Sequence, residues 1–159
     1  MIRPTLLLSA FCLSMAAWPL SPALAATAAE VAADLQMMEA SAPMRRAADR
    51  FVDRALARDA AATSSMLSRL LVERIGAAQA QQAMQQQILP FFAHGGEVGR
   101  SVTTTRTTDA AGQTGFAFYM WLVDAQGRRR PFTVYVVDEQ GMPKVANIVP
   151  DKFVPGRHQ

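Results

Sequence analysis

Residues 97–149 carry the same turn signal three times at nearly even spacing. Asp109-Ala110-Ala111-Gly112, Asp124-Ala125-Gln126-Gly127 and Asp138-Glu139-Gln140-Gly141 begin 15 and 14 residues apart. An aspartate opens a turn by accepting backbone N–H bonds, and a glycine takes the left-handed conformation that closes a short hairpin. Between these signals the chain is rich in Val, Thr, Phe and Tyr and alternates with a period of two, which predicts strands over 97–108, 114–124, 129–138 and 143–149. Tight turns at equal intervals join consecutive antiparallel strands, so the expected sheet is a four-stranded meander. A calcium loop needs further carboxylates that these segments lack, so the aspartates read as turn residues.

Ahead of the strands the period is helical. Met44, Ala47, Ala48, Phe51, Val52, Ala55 and Leu56 follow the i, i+3, i+4, i+7 pattern, with Arg45, Arg46, Asp49, Arg50, Asp53, Arg54 and Arg58 on the other side. Residues 26–42 predict a short separate helix carrying Val31, Leu35 and Met38, broken at Ser41-Ala42-Pro43. A further helical stretch is expected over 60–71, with Gly76 a plausible cap. Another is expected over 77–89, ended by Pro90 ahead of a His94-Gly95-Gly96 loop. The whole predicts an α+β protein, with N-terminal helices packed on a curved antiparallel meander.

The first 25 residues have the layout of a secretory leader: one charge at Arg3, an apolar run over 6–18, breaks at Pro19 and Pro22, and small residues at Ala23 and Ala25. The run is 13 residues long, and a membrane span takes roughly 20. Phe11, bulky and directly before Cys12, argues against lipid attachment at that cysteine. Cleavage is therefore expected after Ala25, with no stable membrane anchor afterwards and a periplasmic or secreted address. Cleavage would leave 134 residues, with 15 Lys and Arg against 13 Asp and Glu and no cysteine. Disulfide and thiol chemistry are then excluded, and two histidines offer no metal site. The expected organisation is a leader (1–25), a helical or linker segment (26–42), a main domain (43–153) and a tail (154–159).

In the second strand Phe116, Phe118, Met120 and Leu122 alternate with Ala117, Tyr119, Trp121 and Val123; in the third, Phe132, Val134 and Val136 alternate with Thr133, Tyr135 and Val137. Both faces of the sheet are thus apolar. Helices cover one, and the other calls for a partner subunit, a tail or a ligand. Two stretches, FVDRALARDAAATSSMLS (51–68) and FTVYVVDEQGMPKVANIVPDKF (132–153), resemble the nuclear transport factor 2-like superfamily, the cone-shaped α+β fold that includes SnoaL-like proteins. The resemblance extends over 43–153 and implies a sheet wrapped on helices around an interior site. Its members include isomerases, dehydratases and cyclases, and also non-catalytic domains that bind peptides or small molecules, often as dimers.

The enzymes of that superfamily pair an Asp with a Tyr, or a His with an Asp. Tyr119 and Tyr135 are candidate donors, but Asp109, Asp124, Asp138 and Glu139 all fall at predicted turns, away from a base's position. His94 is the candidate catalytic residue, or else a solvated loop histidine. Phe91, Phe92, Tyr119, Trp121 and Tyr135 are candidates for a pocket or interface, or else plain core. Arg128, Arg129 and Arg130 form a candidate anion contact. The row Arg46, Arg50, Arg54 and Arg58 is interleaved with Asp49, Asp53 and Asp59, a pattern expected of a salt-bridged solvated face and not of a nucleic-acid surface. The expected function is an exported, non-catalytic domain, a possible homodimer, binding a small apolar ligand or a periplasmic protein without a cofactor. The alternative is a small lyase or isomerase using His94 or a pocket tyrosine. Protein recovered from the periplasm should begin at Ala26, as read by intact mass; an exported chain that retains Met1 would overturn the leader.

Overall fold

The computed structural model describes residues 22–93, 95–108 and 112–150. The leader up to residue 21, His94, the first three residues of the Asp109 turn and the tail lie outside the described residues. By contacts the chain divides into two compact units, 1–34 and 35–159. The first contributes helical residues 22–34; the second holds the remaining helices and the whole sheet. The architecture is α+β, with helices followed by an open four-stranded antiparallel meander in the order β1-β2-β3-β4.

Helix α1 spans Pro22–Leu56 and runs through Pro43. The break expected at Ser41-Ala42-Pro43 is absent. A proline removes one backbone donor and so frees the carbonyl four residues back, here that of Glu39, an exposed residue where water can satisfy it. The helix ends on a hydrogen-bonded cap, with Asp59 N donating to Arg54 O (3.0 Å) and Arg58 N to Ala55 O (3.0 Å). Arg58 takes the left-handed position, with φ of 57°, that glycine usually fills.

The expected helix over 60–71 is two helices, α2 (Ala60–Ser65) and α3 (Arg69–Ile75). The backbone between them is used for sheet pairing. Leu67 bridges Val145 in parallel, with Ser68 N donating to Val145 O (2.8 Å) and Val145 N to Met66 O (2.9 Å). This segment covers part of the free edge of the last strand. Pro90 likewise does not end its helix. Helix α4 (Ala77–Ala83) continues through a π turn (Met84–Ile88) into α5 (Leu89–Phe92), with Pro90 near the α5 start. A regular turn would press the proline ring on the Gln86 carbonyl; the wider π turn relieves that contact.

The strands are β1 (Gly95–Thr108), β2 (Thr114–Asp124), β3 (Arg129–Glu139) and β4 (Met142–Pro150). They lie close to where the turn spacing puts them, and β2 matches at both ends. At the β2–β3 turn, Asp124 Oδ1 accepts from Gln126 N and Arg128 N (both 2.9 Å), and Gly127 sits at φ 76°. The backbone bond from Arg128 outweighs the effect of burial and, with the Arg128 side chain and Gln126, holds the Asp124 carboxyl below its ordinary value.

The third turn differs from the expectation. Glu139 pairs with Met142 across a two-residue loop, Gln140 and Gly141, both with positive φ (55° and 81°). This is the tight hairpin loop whose twist matches the strands, and Asp138 is an exposed strand residue, not the turn opener.

One sheet face carries the core. Phe116, Phe118, Met120, Leu122, Phe132, Val134 and Val136 pack with Ala47, Phe51, Val52 and Ala55 of α1 and with Phe91 and Phe92. The rings of Phe91, Phe92 and Phe132 meet edge to face at 5.1–5.6 Å, the arrangement that aromatic quadrupoles favour.

Glu139 ties the last hairpin to α3. Its carboxylate accepts from Ser68 Oγ (2.6 Å), Arg69 N (3.1 Å) and Leu70 N (3.3 Å) at the start of that helix. Burial pushes the Glu139 carboxyl up, but these bonds outweigh it and hold the group below the usual glutamate value. Replacing a helix N-terminal acceptor costs about 0.5–2 kcal/mol. Glu139→Gln should therefore lower stability by about 1 kcal/mol at neutral pH. A carboxyl depressed on folding stabilises above its unfolded pKa and loses that contribution as pH falls through the folded value. Urea melts of the variant and the parent should therefore converge as the pH is lowered through that window; a pH-independent gap would show that the charge is irrelevant.

Candidate functional site

Alternation sends the odd-numbered residues of β2 and β3 to the face away from α1. Among them Thr133, Val137, Ala117 and Tyr119 are 0–4% exposed. Thr133 stands between Tyr119 and Val149 across the strands. Three irregularities, two in β1 (between Gly95 and Glu97 and between Arg100 and Thr104) and one in β4 where Ala146 is the extra residue, bend the two edge strands.

At one end this second face becomes a trough of about 400 Å³. Its floor is Tyr135 and Val137 of β3, flanked by Thr107 and Thr108 of β1 and by Ala146 and Asn147 of β4. Its wall is Leu71, Arg74 and Ile75 of α3, the helix that Glu139 and the Leu67–Val145 bridge fix in place. Gly115 lies opposite both Thr107 and Val137 and contributes no side chain; a Cβ there would run into the Val136 carbonyl. The volume falls within the range of small-molecule sites, about 300–1,000 Å³. A cavity of similar size lies between α2, α3 and α4, but its lining is mostly Ala and Gln and, among the described residues, carries no aromatic or charged group.

Each polar side chain lining the trough can donate a hydrogen bond. Burial, and then the neighbouring Tyr119, push the Tyr135 phenol above its ordinary value, so it stays protonated. The Tyr119 hydroxyl is within hydrogen-bond range of Thr105 Oγ1 (3.3 Å). Arg74 is exposed and has no ion pair among the described residues. Among the described residues the lining holds no carboxylate. Such a set can hold a carbonyl or an acidic group above an apolar floor.

The candidate residues from the sequence separate into groups. Tyr135 lines the trough and Tyr119 adjoins it, while Trp121 lies farther along the same face. Phe91 and Phe92 are not with them: they face the helix side and form the core, 5% and 1% exposed. The three arginines do not converge either. Arg128 pairs with Asp124 (2.7 Å), Arg129 lies over the Trp121 ring, and Arg130 lies over Phe91. Strand alternation sends Arg129 and Arg130 to opposite faces. His94 falls outside the described residues. In the α1 row, Asp49 and Asp53 pair with Arg100 of β1 (2.6 and 3.9 Å), and Arg54 pairs with Asp59 (3.7 Å). No cluster of three or more His, Cys, Asp or Glu side chains suited to a metal occurs among the described residues.

Leu71, Arg74 and Ile75 escaped the sequence reading. Their spacing is ordinary for a half-buried helix, and nothing local says that α3 reaches the second face. Comparison of the chain with protein families, characterised proteins and solved structures finds no match.

Trp121 lies across Gly99, directly opposite in β1, where any Cβ would strike the indole. Gly99→Ala should expel the ring from this position and break its stacking with Arg129. Trp121 is the sole tryptophan beyond residue 25, so the emission of the exported form should shift to the red. An unchanged spectrum would mean that the ring does not rest on the glycine.

Proposed function

We propose that this chain is an exported, non-catalytic binding module whose trough holds a small, mainly apolar molecule bearing an acidic or carbonyl group. The observation that carries this reading is the trough itself: an apolar floor of Tyr135 and Val137, walled by Leu71 and Ile75, with Arg74 at its rim. Its polar side chains are suited to holding a ligand, and among the described residues none in the lining is a carboxylate or histidine that could serve as a base against Tyr135. Export rests on the leader read in residues 1–25. The resemblance to nuclear transport factor 2-like domains supports the same reading, since many of them bind small molecules.

Dodecanoate and the neutral 1-dodecanol are suitable probes, followed by calorimetry and thermal melting. Dodecanoate should bind and raise the melting temperature, because a ligand that binds only the folded state stabilises it in proportion to ln(1 + [L]/Kd). A charge-assisted contact is worth about 1.5–3 kcal/mol. Arg74→Gln should therefore weaken dodecanoate about tenfold or more and leave dodecanol unaffected. Val137→Trp, which fills the floor, should block both. Binding of neither probe, or binding indifferent to both substitutions, would remove the trough as the site.

A further inference from the structure

Strand β4 carries one residue more than its pairing with β3 uses. Val145 pairs with Val136 and Asn147 with Tyr135, which leaves Ala146 without a place in the ladder. The surplus reverses the alternation beyond it. Val145 is buried in the core cluster, and Ile148, three positions on, packs against the same cluster, whereas strict alternation would send the two to opposite faces. Ala146 and Asn147, successive residues, both line the trough. With regular pairing past Val145, Ala146 would take the place opposite Tyr135 and Asn147 would face the core. The bulge is therefore what brings a carboxamide beside the Tyr135 phenol, and bulges re-aim side chains in this way at functional sites.

We infer that Asn147 sets the specificity of the trough, joining the Tyr135 hydroxyl in a pair of neutral donors that seats a carbonyl oxygen of the ligand. The inference rests on the trough being the binding site. Asn147 Oδ1 accepts from Ile148 N (2.9 Å). That bond turns the carboxamide oxygen to the backbone and leaves the NH2, which can only donate, as the end offered elsewhere. Tyr135 and Asn147 stand directly opposite each other on neighbouring strands, where facing side chains begin about 4.5–5.5 Å apart at Cβ. A carbonyl oxygen, with two lone pairs, can accept from both. An ammonium group, which can only donate, meets another donor in Asn147. The ligand class is then a long-chain molecule ending in a ketone, ester or carboxyl carbonyl, its chain on Val137, Leu71 and Ile75. The pair reads the carbonyl oxygen, and Arg74 reads the charge of an acid, so a neutral ketone should bind without help from Arg74. Asn147 is exposed, so its replacement leaves the core untouched.

Calorimetry with 2-dodecanone and with dodecylammonium tests this. Asn147→Leu should weaken the ketone roughly three- to tenfold, the usual contribution of one neutral hydrogen bond. The infrared carbonyl stretch of the bound ketone should rise in that variant as the bond is lost. Asn147→Asp should weaken the ketone at least as much and strengthen dodecylammonium about tenfold, because a donor has become a carboxylate. A merely structural Asn147 would move both probes in the same direction. Ketone affinity and carbonyl stretch unchanged in both variants, or an Asn147→Asp protein that loses the ketone without gaining the ammonium, would overturn the inference. Dodecanoate binding that Val137→Trp blocks would still uphold the trough in either case. A parent protein that binds dodecanoate but refuses the ketone would also overturn it, and one that binds neither would remove the proposed function with it.

Discussion

Phe132 stands at the point on which the rest of the molecule is built. Its ring meets Phe91 and Phe92 edge-on, and it is fully buried in a cluster that also holds Phe51, Phe118 and Met120. Losing a buried phenylalanine typically costs about 3–5 kcal/mol, a large share of a single domain's net stability. That contact brings the last turn of the helical region onto the third strand and so commits one face of the sheet to the helices. Strict alternation then forces Thr133, Tyr135 and Val137 to the opposite side.

What happens on that opposite side follows from a second, polar constraint. The Met66–Ser68 segment pairs with the edge of β4, and Ser68 and the first amides of α3 converge on the Glu139 carboxylate. A short helix such as α3 has little stability of its own. Its position is set by these bonds, which span about seventy residues of sequence. Because α3 is held there, Leu71 and Ile75 supply the wall that turns an apolar sheet face into a trough, and Arg74 brings a cation to its rim. An acceptor at a helix start thus shapes a site to which it contributes no atom.

The trough is concave and small, and each polar side chain of its lining can donate a hydrogen bond, which suits a molecule with an acidic or carbonyl end.

The sequence by itself determined everything that a local period or a turn can encode. The spacing of Asp and Gly marked out four strands, and the period of two assigned each strand residue to one of two faces. The period of 3.6 picked out the buried side of α1 over 44–56. These signals act between neighbours a few residues apart, where backbone sterics and the aqueous solvent decide. Only the tertiary structure decided which sheet face became core, because two apolar faces are equivalent until a helix chooses one. It also carried α1 through Pro43 and the later helix through Pro90, against local preference. It split the helix expected over 60–71, because the backbone of 66–68 found a strand edge to pair with. Finally it made Glu139, a turn residue by sequence, the anchor of α3, since a carboxylate's partners are set by what the fold brings within about 3 Å of it.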